Sequence, residues 1–226
     1  MKKILSFVLC GALLVGCGMS KTGSGALIGT GAGAALGAGI GYLLGGDGAS
    51  AAIGAAVGTA VGAGAGTIIG KKMDEKAAQL AELEDAQVET VTDVNGLTAI
   101  KVTFDSGILF DFNKSTLKPA AQAQLDKFAA EMTDMPETNF TIYGHTDNVG
   151  SEKANEKVST QRAESVEKYL RTKGIAKDRM TAEGLSFNFP VADNSTEEGR
   201  AQNRRVEIYI SANEDMVKAA DNGTLQ

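Results

Sequence analysis

The chain has 226 residues, which leaves room for one medium-sized domain and additional segments. Its formal net charge is −6, from 22 Lys and Arg against 28 Asp and Glu, and no basic stripe occurs, so the composition argues against nucleic-acid binding. The single histidine, His145, cannot supply the His-rich ligand set of a catalytic zinc site. We therefore expect neither a metal nor a cofactor.

The first 16 residues have the pattern of a secretory signal peptide, with two lysines ahead of a short apolar run. That run is too short to span a membrane, which takes about 20 apolar residues. Residues 14–17, Leu-Val-Gly-Cys, resemble a bacterial lipobox, which implies that the mature protein starts at a lipidated Cys17 with a linker over residues 17–24. The alternative is an ordinary signal peptide in which Cys17 is incidental.

Residues 25–70 are rich in Gly and Ala, and their glycines recur in two runs of four-residue steps. On a helix, this spacing forms a ridge without side chains, where another backbone can approach closely. We call these positions the glycine ladder: Gly25, Gly29, Gly33, Gly37, Gly41, Gly45, Gly54, Gly58, Gly62, Gly66 and Gly70. Between Lys21 and Lys71 the only charged residue is Asp47, so we expect a helical hairpin with Asp47 at its tip, inserted in a membrane or packed against copies of itself. A flexible Gly/Ala linker is the alternative.

The next segment, residues 71–95, is predicted to be an amphipathic neck followed by a first strand. The apolar residues that recur at helical spacing are Met73, Ala77, Leu80 and Leu83. Two β-rich runs then flank Asn95-Gly96, and this dipeptide is typical of a two-residue β-hairpin loop. The globular domain is expected to begin there.

Residues 96–212 are predicted to form an α+β domain, with a small mixed sheet and two main helices. The first helix begins at Pro119, a residue favoured in the first turn, and the second ends at Gly174, a favourable C-cap. Strands are predicted at residues 100–104, 139–145, 178–184 and 204–210. Residues 213–226 are assigned to a C-terminal tail.

Five segments of this domain carry a family resemblance: FDFNKSTL, GHTDNVG, NEKVSTQRA, TAEGLSFNFPVADN and STEEGRAQNRRVEI. In order and spacing they resemble the OmpA-like peptidoglycan-binding domain, which also occurs in peptidoglycan-associated lipoproteins and flagellar stator proteins. Together with the lipobox and the glycine ladder, they resemble OmpA-family outer-membrane lipoproteins that have a glycine-zipper segment. The chain departs from the family pattern at Val158, where Leu is usual, and at Gly-Leu-Ser-Phe, where a Gly-Tyr-Gly-like turn is common.

The resemblance implies that the domain binds diaminopimelate in the stem peptide of peptidoglycan. The end of this ligand is a zwitterion, so Asp147 would bind its ammonium and Arg162 would bind its carboxylate with two hydrogen bonds. Without the resemblance, Asp147 is better explained as a local turn cap, and Arg162 as a surface or salt-bridge arginine. Arg200 and Arg205 are expected to tie the last loop to the sheet. The supporting residues that the resemblance implies are Asn113, Asn155, Arg204, Thr146 and Phe112.

These features predict a protein that is not an enzyme. One histidine without a serine in a strained turn cannot form a hydrolytic triad, so His145 is interpreted as a wall residue beside the loop. The leading hypothesis is a lipid-anchored outer-membrane protein that faces the periplasm, binds peptidoglycan non-covalently and tethers the membrane to the cell wall. The alternative is a glycine-zipper oligomer, pore or envelope assembly scaffold, with the OmpA-like domain as its anchor. Cell-wall hydrolysis is a third hypothesis, which the residue pattern does not favour.

Overall fold

The computed structural model describes residues 61, 63–93, 95–111 and 113–225 of the chain. The predictions for the signal peptide, for Cys17 and for the glycine ladder up to Gly62 lie outside these residues. Within the described ranges, no helix combines the length and the apolar character needed to cross a membrane.

Six α-helices and five β-strands occur in the described part of the chain. The helices are α1 (Ala63–Leu80), α2 (Ser106–Leu109), α3 (Pro119–Glu131), α4 (Glu152–Thr172), α5 (Glu197–Asn203) and α6 (Glu214–Asp221), with a 3-10 helix at Lys177–Arg179. The strands are β1 (Ala86–Thr92), β2 (Thr98–Asp105), β3 (Thr138–Gly144), β4 (Met180–Gly184) and β5 (Arg205–Ala212). They form one sheet in the order β1-β2-β5-β3-β4, in which β3 and β4 are parallel and the other neighbours are antiparallel. The predicted α+β class with a small mixed sheet is confirmed.

The apolar core lies on one face of this sheet, because apolar residues alternate along the strands. Ile142 of β3 lies opposite Ile208 of the central strand β5, and both are fully buried. From α3, the Phe128 ring contacts Phe104 and Phe140 edge to face, with centroid distances of 6.4 and 6.2 Å. This geometry is favoured for aromatic pairs and joins α3 to two different strands.

The predicted neck is part of the folded domain. Helix α1 crosses the predicted boundary between residues 70 and 71, and its apolar residues Met73 and Leu80 are fully buried in the same core as the sheet. The helical spacing of these residues predicted a helix with one apolar face. It could not predict that this face would pack on the domain, because the spacing of apolar residues along a helix does not identify its packing partner.

The hairpin between β1 and β2 has a longer loop than the predicted two residues. Thr92 pairs with Thr98, and the Asp93 N–H donates to the Leu97 carbonyl oxygen at 2.8 Å. Gly96 has a φ of 75°, which is typical of the left-handed residue in a three-residue hairpin loop. The Asp93 carboxylate accepts from the N–H of Asn95 and from that of Leu97, at 2.9 and 2.8 Å, and so satisfies the loop backbone.

Three helices were not predicted. Helix α2 follows β2 directly, and α5 lies just before β5. Helix α6 lies in the predicted tail, yet its residues Met216, Val217 and Ala220 are buried in the core. The folded unit therefore extends on both sides of residues 96–212.

Candidate ligand-binding cleft

A cleft of about 510 Å³ opens at one end of the sheet. Both β2 and β3 run antiparallel to β5, so their last residues lie beside its first residues, with Asp105 opposite Arg205 and Gly144 opposite Val206. The segments that leave these strands meet there, and their polar residues surround the cleft. Six of the seven predicted site residues line it: Asn113, Thr146, Asp147, Asn155, Arg162 and Arg204. Phe112 lies outside the described residues, and the binding role of all seven stays a prediction.

Asp147 forms an ion pair with Arg204, not with Arg162. Arg204 Nη1 donates to Asp147 Oδ2 at 2.7 Å, and the Val149 N–H donates to Oδ1 at 2.9 Å. The second nitrogen of Arg204, Nη2, donates to Glu197 Oε1 at 2.9 Å. Although partial burial opposes it, hydrogen bonding to Asp147 and Glu197 raises the pKa of Arg204. Arg204 thus bridges two carboxylates across the cleft.

Arg162 is a buried cation without a carboxylate partner among the described residues. Its side chain is 6% exposed, its guanidinium lies 5.2 Å from the centre of the Phe110 ring, and its Nε donates to the Lys114 carbonyl oxygen at 3.2 Å. Within the described part of the chain, no carboxylate oxygen lies within 4.0 Å of its nitrogens. Burial and then the charge of Arg204 lower the pKa of Arg162, while Asp147 acts in the opposite direction. Such an arrangement favours an anionic ligand group.

The remaining predicted residues shape the cleft. Asn155 is buried, and its Nδ2 donates to the Val149 carbonyl oxygen at 3.0 Å, which fixes the loop that carries Asp147. The Thr146 N–H donates to the Ser186 carbonyl oxygen at 2.9 Å, and its buried hydroxyl has no hydrogen-bond partner in the described structure. Asn113 has a φ of 54°, a left-handed conformation that Asn tolerates better than most residues. It is exposed at the cleft mouth.

Among the cleft residues that were missed from the sequence, Glu197 and Ser106 have polar groups of interest. Glu197 lies in the first turn of α5, and Ser106 begins α2 with a buried hydroxyl that has no hydrogen-bond partner in the described structure. A signal for α5 was present, because Thr196 is an N-cap residue followed by two acidic residues and its hydroxyl accepts from the Gly199 N–H at 3.0 Å. Ser106 offered no comparable signal.

Comparison with known proteins identifies this domain. Residues 109–204 match the model of the OmpA family, and residues 1–74 match that of the YMGG-like Gly-zipper. The structure of the cell wall anchor of the T6SS from Pseudomonas aeruginosa is 31% identical, with a TM-score of 0.52, and the match covers 62% of this chain and 96% of that one. The chain belongs to the OmpA family.

Two relatives show how much of this chain is shared with curated proteins. Outer membrane protein A of Bordetella avium is 46% identical over 112 residues, which are 50% of this chain and 58% of that protein. Peptidoglycan-binding protein ArfA of Mycobacterium tuberculosis is 40% identical over 114 residues, 50% of this chain and 35% of that protein. The chain therefore matches only part of each relative's length.

In this OmpA-family domain, the close packing of α4 on β3 and β4 determines where Arg162 lies. A Cβ atom on Gly144 of β3 would collide with the Ser159 carbonyl oxygen of α4, and one on Gly184 of β4 would collide with the backbone nitrogen of Thr160. Because neither glycine has a side chain, α4 lies directly on the two parallel strands. The side chain of Arg162, less than one turn further along α4, then reaches the cleft.

His145 does not line the cleft, contrary to its interpretation as a wall residue. It is 1% exposed and its Nε2 lies 3.5 Å from Glu207 Oε2, in a buried polar cluster. Arg205 Nε donates to Glu207 Oε1 at 2.7 Å and its Nη2 to the Phe189 carbonyl oxygen at 3.1 Å. Arg200 Nη1 likewise donates to the Asn194 carbonyl oxygen at 3.0 Å. The prediction that the last loop is tied to the sheet is confirmed for Arg205 of β5, whereas Arg200 ties this loop to α5.

Proposed function

We propose that this chain binds peptidoglycan non-covalently through the diaminopimelate of the stem peptide and tethers the outer membrane to the cell wall. The observation that carries the proposal is that a cation and an anion lie in one cleft without forming an ion pair with each other. Arg162 is buried without a carboxylate partner among the described residues, and Asp147 lies in the same cleft on a loop with its own hydrogen bonds. A zwitterionic ligand satisfies both.

The ligand's two charged groups have separate partners. Its carboxylate binds the guanidinium of Arg162, which presents donors in a planar fork and gains a counterion on binding. Its ammonium binds the carboxylate of Asp147, whose side chain is 13% exposed and so remains accessible from the cleft. Asn113, Asn155, Thr146, Phe112 and Arg204 supply the polar and apolar surroundings. The chain acts by binding, and no bond is made or broken.

The membrane end of the tether rests on the N-terminal sequence. Lipidated Cys17, in the segment Leu-Val-Gly-Cys, holds the chain in the outer membrane, and the OmpA-family domain faces the periplasm. Relatives support each end: one is an outer membrane protein, one is described as peptidoglycan-binding, and one is a cell wall anchor. Several acyl chains on one cysteine anchor a protein more firmly than a single chain.

Retention of the full chain on purified sacculi tests this function. We expect Asp147→Ala and Arg162→Ala each to lower the affinity roughly tenfold or more, because each leaves one charge of the ligand unpaired. Soluble diaminopimelate should release the wild-type chain. The matched control is Arg171→Ala, which removes an exposed arginine from the same helix and should leave retention unchanged.

The outcomes separate the site from the function. If the Asp147→Ala and Arg162→Ala variants were both retained as strongly as the wild-type chain, peptidoglycan would bind elsewhere on the chain. A wild-type chain that is not retained on sacculi would refute peptidoglycan binding itself. Release of soluble muropeptides during the incubation would contradict a purely binding function.

A second function, assembly through the glycine ladder, is favoured by the match of residues 1–74 to the YMGG-like Gly-zipper. In this alternative, the chain forms oligomers, a pore or an assembly scaffold in the envelope, and the OmpA-family domain anchors it. Crosslinking in membranes is the measurement. Gly33→Leu and Gly62→Leu should abolish the crosslinked oligomer by filling the ridge, and an unchanged oligomer would exclude the ladder as an assembly surface.

A further inference from the structure

Asp147 is already occupied in the cleft without ligand. Its Oδ2 accepts from Arg204 Nη1 at 2.7 Å, so an incoming ammonium must share this carboxylate with Arg204 or displace it. The side chain of Arg204 is 31% exposed and lies at the cleft surface, where it has room to turn. Displacement alone would leave a partly buried guanidinium without a counterion, which is unfavourable.

Glu197 is placed to prevent that loss. Its Oε1 accepts from Arg204 Nη2 at 2.9 Å, on the side of the guanidinium that does not contact Asp147. Its other oxygen, Oε2, accepts from Arg200 Nη2 and Nε at 2.7 and 3.1 Å. Arg200 in turn is fixed by its hydrogen bond to the Asn194 carbonyl oxygen. Glu197 is therefore held in place independently of both Asp147 and the ligand.

The first turn of α5 supports the same geometry. The Thr196 hydroxyl caps the helix through the Gly199 N–H, and a Cβ atom on Gly199 would collide with the Asp193 carbonyl oxygen. The backbone of this turn is thus closely packed against the preceding loop. A carboxylate in the first turn also interacts favourably with the helix dipole. The backbone position of Glu197 is therefore set by the packing of this turn, and Arg200 and Arg204 hold its side chain.

We propose that Glu197 is a positioning residue that holds Arg204 in the cleft while the ligand's ammonium replaces Arg204 at Asp147. The freed Nη1 of Arg204 then joins Arg162 in binding the ligand's carboxylate. This inference rests on the diaminopimelate site proposed above. It assigns charge recognition to an exchange of partners: Asp147 exchanges Arg204 for the ligand's ammonium, Glu197 keeps Arg204, and the ligand's carboxylate gains two arginines.

The exchange requires both charges of the ligand. An ammonium alone would displace Arg204 from Asp147 without giving its free nitrogen a new partner. A carboxylate alone would find Arg204 already bound to Asp147 and would contact only Arg162. The two groups on one carbon atom satisfy Asp147, Arg162 and Arg204 together, and Glu197 keeps Arg204 close enough to take part.

The test compares Glu197→Gln with Glu198→Gln in the full chain, by titration with meso-diaminopimelate. Both changes remove one negative charge from an exposed side chain in the first turn of α5, but in the described structure Glu197 contacts Arg204 and Glu198 does not. We expect Glu197→Gln to weaken binding roughly three- to fivefold, in the range of an exposed ion pair, and Glu198→Gln to change it less than twofold. Equal affinities for the two variants would overturn the proposal.

A spectroscopic measurement separates positioning from a general effect on the fold. The side-chain NMR signals of Arg204 should shift when meso-diaminopimelate is added to the wild-type chain, because its partner at Nη1 changes. Unchanged Arg204 signals at saturating ligand would refute the exchange even if Glu197→Gln weakened binding. Failure of the proposed function is distinguishable, since the wild-type chain would then not bind meso-diaminopimelate at all.

Discussion

At the scale of single residues, Glu207 of β5 is the centre of a buried polar cluster. Glu207 contacts Arg205, His145 and Tyr209, whose hydroxyl donates to its Oε2 at 3.0 Å. Burial opposes the charge on Glu207, but His145 and Arg205 outweigh it and lower its pKa to about 2. Burial lowers the pKa of His145, and Glu207 only partly opposes this. His145 precedes Thr146 and Arg205 follows Arg204, so the cluster is adjacent in sequence to two residues that line the cleft.

The state of His145 predicts how stability depends on pH. Its pKa is 6.5 in a model peptide and lower in the folded domain, so below about pH 6.5 the unfolded chain binds more protons than the folded one. The unfolding free energy should therefore fall as the pH is lowered through this range, by about 1.4 kcal/mol per unit of pKa depression. Chemical denaturation between about pH 5 and pH 8 measures it.

The matched variant for this measurement is His145→Gln, which removes the only histidine of the chain. It should flatten the pH dependence even if it lowers the stability at every pH. The window stays above pH 4.5, where the contribution of Glu207 is fully present; that contribution is lost only as the pH falls towards about 2. A wild-type chain whose stability rises as the pH falls would contradict a neutral His145.

At the scale of elements, the position of α4 determines where Arg162 lies. Gly144 and Gly184 allow this helix to rest directly on β3 and β4, and Ser151 caps its first turn by accepting from the Ala154 N–H at 3.3 Å. The loop before this cap carries Asp147. One helix and its preceding loop thus contribute both charged residues proposed to bind the ligand, so a shift of α4 changes both at once.

Gly144→Ala should displace α4 from the sheet. The new methyl group would collide with the Ser159 carbonyl oxygen, a backbone atom that cannot move aside by rotation of a side chain. We expect the unfolding free energy to fall by about 1–3 kcal/mol, as for other overpacked sites, and diaminopimelate binding to weaken with it. Chemical denaturation and ligand titration measure the two effects.

The control is Gly64→Ala in α1, where no described atom lies within 4 Å of the added carbon. In a helix this change should leave stability unchanged or raise it by up to about 1 kcal/mol. Both variants add the same methyl group, so a difference between them reports the local packing. If the Gly144→Ala variant had the same unfolding free energy as the Gly64→Ala variant, α4 could not lie as close to β3 as described.

Strong local patterns made α3, α4, β3 and β5 predictable. Pro119, Gly174 and the alternation along β5 are signals that each segment carries within itself, and the family resemblance located Asp147 and Arg162. The packing of α1 could not be predicted, because an apolar stripe such as that around Met73 does not identify its partner. Likewise Glu197 was hidden in a charged run whose helix, α5, has seven residues and too few apolar positions for a periodic signal.

At the scale of the whole molecule, the segment that follows the glycine ladder is part of the folded domain. Lys76 of α1 is 5% exposed, and its Nζ donates to the Glu131 carbonyl oxygen at 2.7 Å and contacts the Asp134 carboxylate at 2.9 Å. The ladder's last residue, Gly70, faces Thr98 of β2, whose Oγ1 would lie 3.3 Å from an added Cβ. No free neck therefore separates residues 63–80 from the cleft-bearing domain, and the reach of the proposed tether depends on the residues before them.

If α1 belongs to the folding unit, truncating its buried face must destabilise the whole domain. Met73→Ala removes a fully buried side chain, and we expect the unfolding free energy to fall by about 2–5 kcal/mol. Gln79→Ala, on the exposed side of the same helix, should change it by less than about 0.5 kcal/mol. Chemical denaturation of the full chain, followed by a signal from the sheet, measures both. Equal stability of the two variants would mean that α1 unfolds separately and that the tether has a flexible neck after all.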